Sequence, residues 1–305
     1  MGALRASWPA ALPPLACAVL PQGTGNDLAR VTGWFYDEAT LAALAPGGTR
    51  DGLRAVLDAV QRSRPAPLDW WRLEVQPSAA LADTLNAAQL APGTVAPVAQ
   101  GSAPAAAAPD ASRRVMPFVN YFSIGFDAGV ALSFDAARRA APSHFASRVR
   151  NKAAYGLLGA YDFARGACSQ LAEQLELHAD GARVPLPDDV KGVLLLNIAS
   201  FMGGVKPWPQ ESGFAGATVE PAPHDGVIEV CAHFGALHLA AMNLGLAAAV
   251  PLAVAREVRI TTSAPLPMQA DGEAWAQEHA AEVRVQWKGI VTVLHAPPRG
   301  NRLVA

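Results

Sequence analysis

A strand, a glycine turn and the start of a helix follow one another near the amino end of the sequence. The apolar run 16–20 ends at a proline, and Gly23, Thr24, Gly25, Asn26 and Asp27 come next. Glycines allow close backbone approach to a ligand, and the free N–H groups of such a turn favour a phosphate. A bare carboxylate inside the turn would repel that phosphate, and a bound Mg²⁺ would remove the conflict. The alternative is an Asn-Asp cap of a helix that binds no ligand.

Three further acidic segments could take part in catalysis or in metal binding. Asp127 closes an apolar run two residues after a glycine, Asp225 lies in a His-Asp-Gly turn, and Asp271 and Glu273 flank a glycine. Phosphoryl transfer to an alcohol needs a carboxylate near the attacking hydroxyl and Mg²⁺ to neutralise the transferred group. Each acid also has a simpler explanation: a solvated strand end for Asp127, and plain turns for Asp225 and Asp271.

Composition narrows the class of protein. The 305 residues suffice for two domains, and the 24 basic and 26 acidic side chains give no electrostatic case for nucleic acid. The three cysteines, Cys17, Cys168 and Cys231, are far apart, which argues against disulfides and a zinc site and favours an intracellular compartment.

Hydrophobic patterns predict the elements that position these acids. The spacing predicts a helix over 51–64, a strand over 68–76 and a low-complexity surface loop over 77–112. A β-type run over 115–127 and a helix over 136–163 follow. Further strands are predicted at 171–178, 190–199, 227–231, 258–262, 283–287 and 290–295.

One uncharged segment requires a membrane test. Residues 237–255 contain no Asp, Glu, Lys or Arg, and this length approaches that of a spanning helix. Alanine and glycine supply much of the segment, which also contains His238, Asn243 and Pro251. We therefore expect a buried helix that runs into a strand, and no transmembrane segment. The first 14 residues lack the pattern of a signal peptide.

Six segments, in the same order, resemble the diacylglycerol kinase family. Gly23–Asp27 with the following Leu-Ala-Arg and Gly-Trp is similar to its GTGND signature, and 120–127 to its NYFSIG-x-D segment. The other matching segments are 144–152, 194–204 (LLLNIASFMGG), 224–230 (HDGVIEV) and 267–277 (PMQADGEAWAQ). The matches cover most of the chain.

The resemblance implies an α/β plus β architecture. An incomplete Rossmann-like nucleotide domain over 1–115, with the insert 77–112, would precede a β-rich, β-sandwich-like accessory domain over 116–295 and a tail over 296–305. The family's Gly-Gly-Asp-Gly-Thr loop is expected before GTGND and does not occur in 1–22. Little kinase activity is therefore expected of this polypeptide alone.

The resemblance also implies roles for the acids. Asp271 would be the general base, Gly23 to Asp27 and Glu273 would bind ATP, and Mg²⁺ would be held by Asp27, Asp127, Glu273 and Asp225. The implied reaction is ATP-dependent phosphorylation of diacylglycerol to phosphatidic acid by a cytoplasmic protein that contacts a membrane peripherally, with Trp208 as a candidate lipid-facing residue. The alternatives are a sphingoid or ceramide kinase, and a non-catalytic lipid-binding or regulatory module.

Overall fold

Two sheets dominate the chain. The computed structural model describes residues 15–19, 26–34, 50–77, 113–141, 168–209 and 222–297. The strands are β1 Ala16–Cys17, β2 Arg64–Pro77, β3 Arg114–Phe118, β4 Tyr121–Gly125, β5 Leu175–Ala179, β6 Ala182–Val184, β7 Gly192–Leu196, β8 Ile228–His233, β9 Val250–Ala255, β10 Glu257–Thr262, β11 Leu266–Ala270, β12 Glu273–Gln277 and β13 Ala281–His295. The helices are α1 Asp27–Val31, α2 Arg50–Gln61, α3 Phe126–Ala140, α4 Leu171–Gln174 and α5 Ala236–Asn243.

Sheet A has the strand order β3-β2-β13-β10-β5-β6, with β1 also beside β13. All of its neighbouring strands are antiparallel except β1 and β13, which are parallel. Strand β13 pairs with β2 from Ala281 to His295, and the register shifts once, between Trp287 and Gly289. The sheet therefore crosses the predicted domain boundary at residue 115, which stays a prediction.

Sheet B is antiparallel throughout, in the order β12-β11-β4-β7-β8-β9. Its central strand β7 is buried on both faces, as a continuous apolar run predicts. Val193 and Leu195 enter a core shared with sheet A. Leu194 and Leu196 face the other way, towards Phe201, Trp208 and Met242.

The shared core follows from alternation along the strands. Trp71, Leu73 and Val75 alternate along β2, and all three are essentially inaccessible to solvent. They pack in one cluster with side chains of sheet B such as Phe122 and Ile124. The β-sandwich-like form of the accessory domain and the Rossmann-like form of the first part remain predictions, since few residues before 50 are described.

Several predicted elements are corrected by the structure. The β-type run over 115–127 ends at Gly125, and α3 begins at once at Phe126, because Phe126, Val130 and Phe134 lie at helical spacing and are buried. The predicted strand over 171–178 begins with a helical turn, α4. One continuous β13 replaces the two strands predicted over 283–295.

The uncharged segment 237–255 is a helix followed by a strand, as predicted, but it is not buried. Leu237 is 73% exposed, Leu244 72% and Leu246 78%, and Met242 is the buried residue of α5. Within the described ranges, no helix is long and apolar enough to cross a membrane. The loop predicted over 77–112 lies outside the described residues except for Pro77, which ends β2. The turn residues 23–25 and the segment 144–152 also lie outside them.

Candidate functional site

The carboxylate of Asp27 is buried at the start of α1 and is surrounded by hydrogen-bond donors. Ser200 Oγ donates to Oδ1, Gly203 N–H lies 3.1 Å from Oδ1 and 3.0 Å from Oδ2, and Gly204 N–H lies 3.1 Å from Oδ1. Both glycines have positive φ, at 85° and 118°, so the turn needs residues without a Cβ. Asp27 therefore joins the start of α1 to the turn that follows β7.

Asp271 occupies a tight hairpin between β11 and β12. Its φ is 50° and that of Gly272 is 87°, as expected for an Asp-Gly pair in a two-residue turn with two left-handed positions. The simple explanation of this segment as a hairpin turn is thus correct for the backbone. The Asp271 side chain, however, reaches across to the connection between β3 and β4.

Three backbone N–H groups hold the Asp271 carboxylate. Asn120 and Tyr121 donate to Oδ1 at 2.7 and 3.2 Å, and Val119 donates to Oδ2 at 2.9 Å. Burial raises the pKa of Asp271 to about 6, against the lowering effect of these three bonds. The side chain is ionised near neutral pH and basic enough to accept a proton, which is what a general base needs.

Tyr121 links Asp27 to Asp271. Its backbone N–H donates to Asp271, while its hydroxyl lies 3.3 Å from Oδ2 of Asp27. The tyrosine is 7% exposed and packs edge-on against Phe201. One tyrosine thus contacts two of the predicted site residues, Asp27 through its hydroxyl and Asp271 through its backbone.

Asp127 lies at the other end of β4, inside the protein. Ser123 Oγ donates to Oδ2, Gln269 Nε2 lies 2.7 Å from Oδ2, and His233 Nε2 lies 3.0 Å from Oδ1. Gly235 N–H points at Nδ1 of His233, so the ring proton is on Nε2 and is donated to Asp127. Burial alone would raise the pKa of Asp127, but the bonds from His233, Ser123 and Gln269 hold it below its usual value.

Asp225 and Glu273 are both exposed. Asp225 accepts the N–H of Val227 at 3.1 Å, the geometry of an Asx turn. Glu273 begins β12, where it is paired with Ala270. Asp225 also acts on Glu229: burial first, and then the charges of Asp225 and Asp69, raise the pKa of Glu229 to about 8.

The acids predicted to hold Mg²⁺ are therefore dispersed. Asp27, Asp127, Asp225 and Glu273 have separate surroundings, and in the described ranges no three His, Cys, Asp or Glu side chains are grouped so as to hold a metal ion. Their metal-binding role stays a prediction. Trp208, the candidate lipid-facing residue, is 6% exposed and packs near Met242, so it does not present its ring to a membrane.

Several residues of the site were not predicted from the sequence, and two of them lie in one segment. Ser200 donates to Asp27, and Asn197, 2% exposed, connects β2 to the segment between β3 and β4 by hydrogen bonds. Both lie in the segment LNIAS, whose similarity to the family was noted. The signal that could have identified Asn197 is a single amide side chain directly after a fully apolar strand, since a buried polar group must be hydrogen-bonded.

Known proteins resemble this chain over the same region. The family "diacylglycerol kinase accessory domain" matches residues 117–274. Diacylglycerol kinase 1 of Arabidopsis thaliana is 31% identical over 265 residues, which are 87% of this chain and 32% of that protein. Diacylglycerol kinase eta of Drosophila mojavensis is 36% identical over 178 residues, 58% of this chain and 9% of that protein. The chain spans at most about a third of the length of these relatives.

Among solved structures, a diacylglycerol kinase from Bacillus anthracis str. Sterne aligns with a TM-score of 0.41 and 10% identity, over 92% of this chain and 67% of that one. The accessory-domain match over residues 117–274 includes the turn that binds Asp27, the side chains around Asp127, and Asp271 itself. It covers more than half of the sequence. The chain therefore belongs to the diacylglycerol kinase family.

Proposed function

We propose that this chain forms part of a lipid kinase that transfers the terminal phosphoryl group of ATP to the free hydroxyl of diacylglycerol, with Asp271 as general base. The observation that carries the proposal is the partly buried carboxylate of Asp271, with a pKa of about 6 and three N–H donors that fix its direction. Within the described residues, Oδ2 accepts one hydrogen bond, from Val119, so it retains a lone pair for a substrate hydroxyl.

The proposed step is a single displacement. The hydroxyl proton of diacylglycerol passes to Oδ2 of Asp271, and the hydroxyl oxygen forms a bond to the terminal phosphorus of ATP. The bond from that phosphorus to the bridging oxygen breaks, leaving ADP and phosphatidic acid. Mg²⁺, when bound, would neutralise charge on the transferred group. Since the described carboxylates do not gather into a metal site, we derive no step through it.

The surface of the protein supports contact with a lipid layer. Leu237, Leu244 and Leu246 form an exposed leucine patch on α5 and the turn after it, within the uncharged segment 237–255. Ala249 N–H donates to Pro207 at 2.8 Å, which joins this segment to the loop that begins at the Asp27-binding turn. We propose that the leucine patch, rather than Trp208, faces the membrane that contains the substrate.

A ratio of rates tests the proposal. ATP-dependent formation of phosphatidic acid is measured with vesicles that contain diacylglycerol. Because the chain alone is expected to have little activity, the measurement uses a form joined to the family's Gly-Gly-Asp-Gly-Thr segment and the Asp271→Asn variant of that form. We expect at least about a hundredfold loss, the usual contribution of a general base. Glu282→Gln, a matched change on the exposed face of β13, serves as control and should leave the rate unchanged.

Other outcomes refute the proposal in distinguishable ways. Equal rates for the wild type and Asp271→Asn would exclude Asp271 as base. Faster phosphoryl transfer to sphingosine or ceramide than to diacylglycerol, measured side by side, would show that the substrate is a sphingoid lipid and not diacylglycerol. Absence of ATP binding by calorimetry, together with retained vesicle binding, would indicate a non-catalytic lipid-binding module.

A further inference from the structure

Asp127 accepts hydrogen bonds from two residues that lie opposite each other in sheet B. Ser123 on β4 and Gln269 on β11 form one cross-strand pair of the β4–β11 ladder. Ser123 Oγ donates to Oδ2 of Asp127, and Gln269 Nε2 donates to the same oxygen at 2.7 Å. The carboxylate in the first turn of α3 therefore bonds to both strands at one position of their ladder.

A third strand reaches the same carboxylate across β7. His233 on β8 donates to Oδ1 of Asp127 at 3.0 Å, and the residue paired with His233 on β7 is Gly192. A Cβ on Gly192 would collide with the His233 ring, so the ring can cross β7 only where a glycine stands. We call Asp127 and its three side-chain donors the Asp127 cluster. All four side chains are buried, and the cluster links β4, β8 and β11 inside the protein.

The surroundings of Asp127 do not suit Mg²⁺. The residue is 1% exposed. The atoms that contact its carboxylate within the described residues are one hydroxyl and the N–H groups of His233 and Gln269. Mg²⁺ requires octahedral oxygen ligands and usually keeps several waters, whereas these N–H groups present their protons where the cation would have to lie. The partners of Asp127 therefore differ from those that a magnesium site requires.

The register of the β4–β11 ladder continues directly to Asp271. Ala270 lies opposite Phe122, one position beyond the pair that contains Gln269. At the next position, the N–H of Asp271 donates to the carbonyl of Tyr121 at 2.9 Å. A shift of β11 by one residue would move Asp271 by about 3.4 Å along β4 and turn the Gln269 side chain to the other face of the sheet. The Asp271 carboxylate would then miss the backbone N–H groups that it binds.

We propose that Asp127 is a positioning residue for Asp271: through Ser123 and Gln269 its carboxylate fixes the register of β11 on β4, and it does not hold Mg²⁺. A shifted β11 would deprive a buried, charged carboxylate of one of its donors, which is unfavourable. The catalytic consequence rests on the proposed function. The register itself is a property of the fold, and it is measured without turnover.

Hydrogen exchange at three backbone N–H groups reports the register. The N–H groups of Val119, Asn120 and Tyr121 all donate to the Asp271 carboxylate. Their protection is divided by that of the Leu195 N–H in the centre of β7. Because a uniform loss of stability affects all four groups, this protection ratio changes only when the Asp271 contact opens separately from the core.

Removing one donor of the Asp127 cluster should lower the protection ratio. Gln269→Met keeps the length of the side chain but removes its N–H groups, and we expect the ratio to fall by at least about tenfold. Ser123→Ala is a milder change, for which we expect a fall of about threefold. Gln277→Met on β12, which removes an amide of the same hairpin outside the cluster, is the matched control and should leave the ratio unchanged. A wild-type ratio in Ser123→Ala, or in a folded Gln269→Met, would overturn the inference.

The wild-type chain tests the statement about the metal, with Mn²⁺ alone as the probe. Mn²⁺ takes the same oxygen ligands as Mg²⁺, and its unpaired electrons broaden the NMR signals of nearby nuclei. An ion on Asp127 would broaden the amide signals of Ser123 and Gln269 before all others. We expect that these two signals are not the first to broaden as Mn²⁺ is added, and the opposite result would overturn this part of the inference.

The outcome for Asp271 as base is separate. In the form joined to the Gly-Gly-Asp-Gly-Thr segment, Gln269→Met should reduce phosphatidic acid formation by at least about tenfold, because a displaced carboxylate cannot reach the substrate hydroxyl. A lowered protection ratio together with a wild-type rate would contradict the proposed base and leave the register role of Asp127 intact.

Discussion

Ser200 donates a hydrogen bond to Asp27 across 173 residues of sequence. The pair joins the start of α1 to the turn after β7, and Gly203 and Gly204 add backbone donors to the same carboxylate. Asp27 therefore stabilises the fold by satisfying donors of another segment, whatever else it binds.

Removing the acceptor should be more harmful than removing one donor. We expect Ser200→Ala to lower the free energy of unfolding by about 1–2 kcal/mol, and Asp27→Ala, which strands several buried donors, by about 3 kcal/mol or more. Urea unfolding of the whole chain measures both. Asp58→Ala on exposed α2 is the control, and a smaller loss in Asp27→Ala than in Ser200→Ala would contradict the prediction.

Two glycine-to-alanine substitutions should change the stability of the protein in opposite directions. A Cβ on Gly192 would lie 2.0 Å from Nε2 of His233, whose ring is fixed by Asp127, so Gly192→Ala should destabilise strongly, by about 3 kcal/mol. Gly129 lies in α3, where a Cβ would meet Pro267 at 3.5 Å, an ordinary contact. Gly129→Ala should stabilise by about 0.5–1 kcal/mol through helix propensity. Thermal unfolding of the two variants provides the comparison, and equal melting temperatures would refute it.

Glu229 should make the protein less stable as the pH rises. Its pKa is about 8 in the folded chain and ordinary in the unfolded chain, so between these values the folded state binds more protons. The stability that the protonated Glu229 carboxyl contributes is fully present at low pH and is lost as the pH rises towards 8. The free energy of unfolding of Glu229→Gln, relative to that of the wild type, should rise by up to about 4 kcal/mol from pH 5 to pH 9.

Melting temperatures of both forms across that pH range measure this growth. Glu282→Gln, which changes an exposed carboxylate of β13, should show no such trend. A constant difference between Glu229→Gln and wild type at all pH values would mean that the Glu229 carboxyl titrates normally.

The leucine patch should determine vesicle binding. Burying one leucine contributes about 1.5–3 kcal/mol, so Leu244→Gln with Leu246→Gln should reduce partitioning into diacylglycerol-containing phosphatidylcholine vesicles by at least about tenfold. Sedimentation with vesicles measures the bound fraction. Leu53→Gln with Leu57→Gln removes two leucines on α2 that are 52% and 53% exposed, and it should leave binding unchanged. An equal loss of vesicle binding in both double variants would show that any exposed leucine contributes to binding, and would contradict a specific role for the leucine patch.

Local patterns predicted the elements whose signals are local. Helix α2 and strands β2, β8 and β10 follow from periodicity, and the Asp271 hairpin from the turn preference of Asp-Gly. The start of α3 was misplaced because Phe126 to Leu132 is as apolar as the strand before it. The exposure of α5 was missed for a related reason: hydrophobicity predicts burial, and three leucines depart from that tendency.

The site was harder to predict from the sequence, because its contacts join residues that are far apart along the chain. Family resemblance indicated Asp27 and Asp271, but not that Tyr121 contacts both. His233 gave no pattern, and only the folded sheet brings it to Asp127. Asn197 has partners at Asp69, Trp71 and the Val119–Asn120 connection, and no spacing rule connects such separated positions.

The pairing of β2 with β13 has a consequence for how the chain acquires its structure. Strand β2 ends at residue 77, and its long partner does not begin until residue 281. Ala296 and Leu294 also supply backbone partners to Thr32 and Trp34 near α1. On a translating ribosome, these early segments must wait for the late strand, and such distant pairings form slowly. During synthesis the edge of β2 that pairs with β13 is therefore open to chaperones, and to pairing with other chains, until residue 281 has been made.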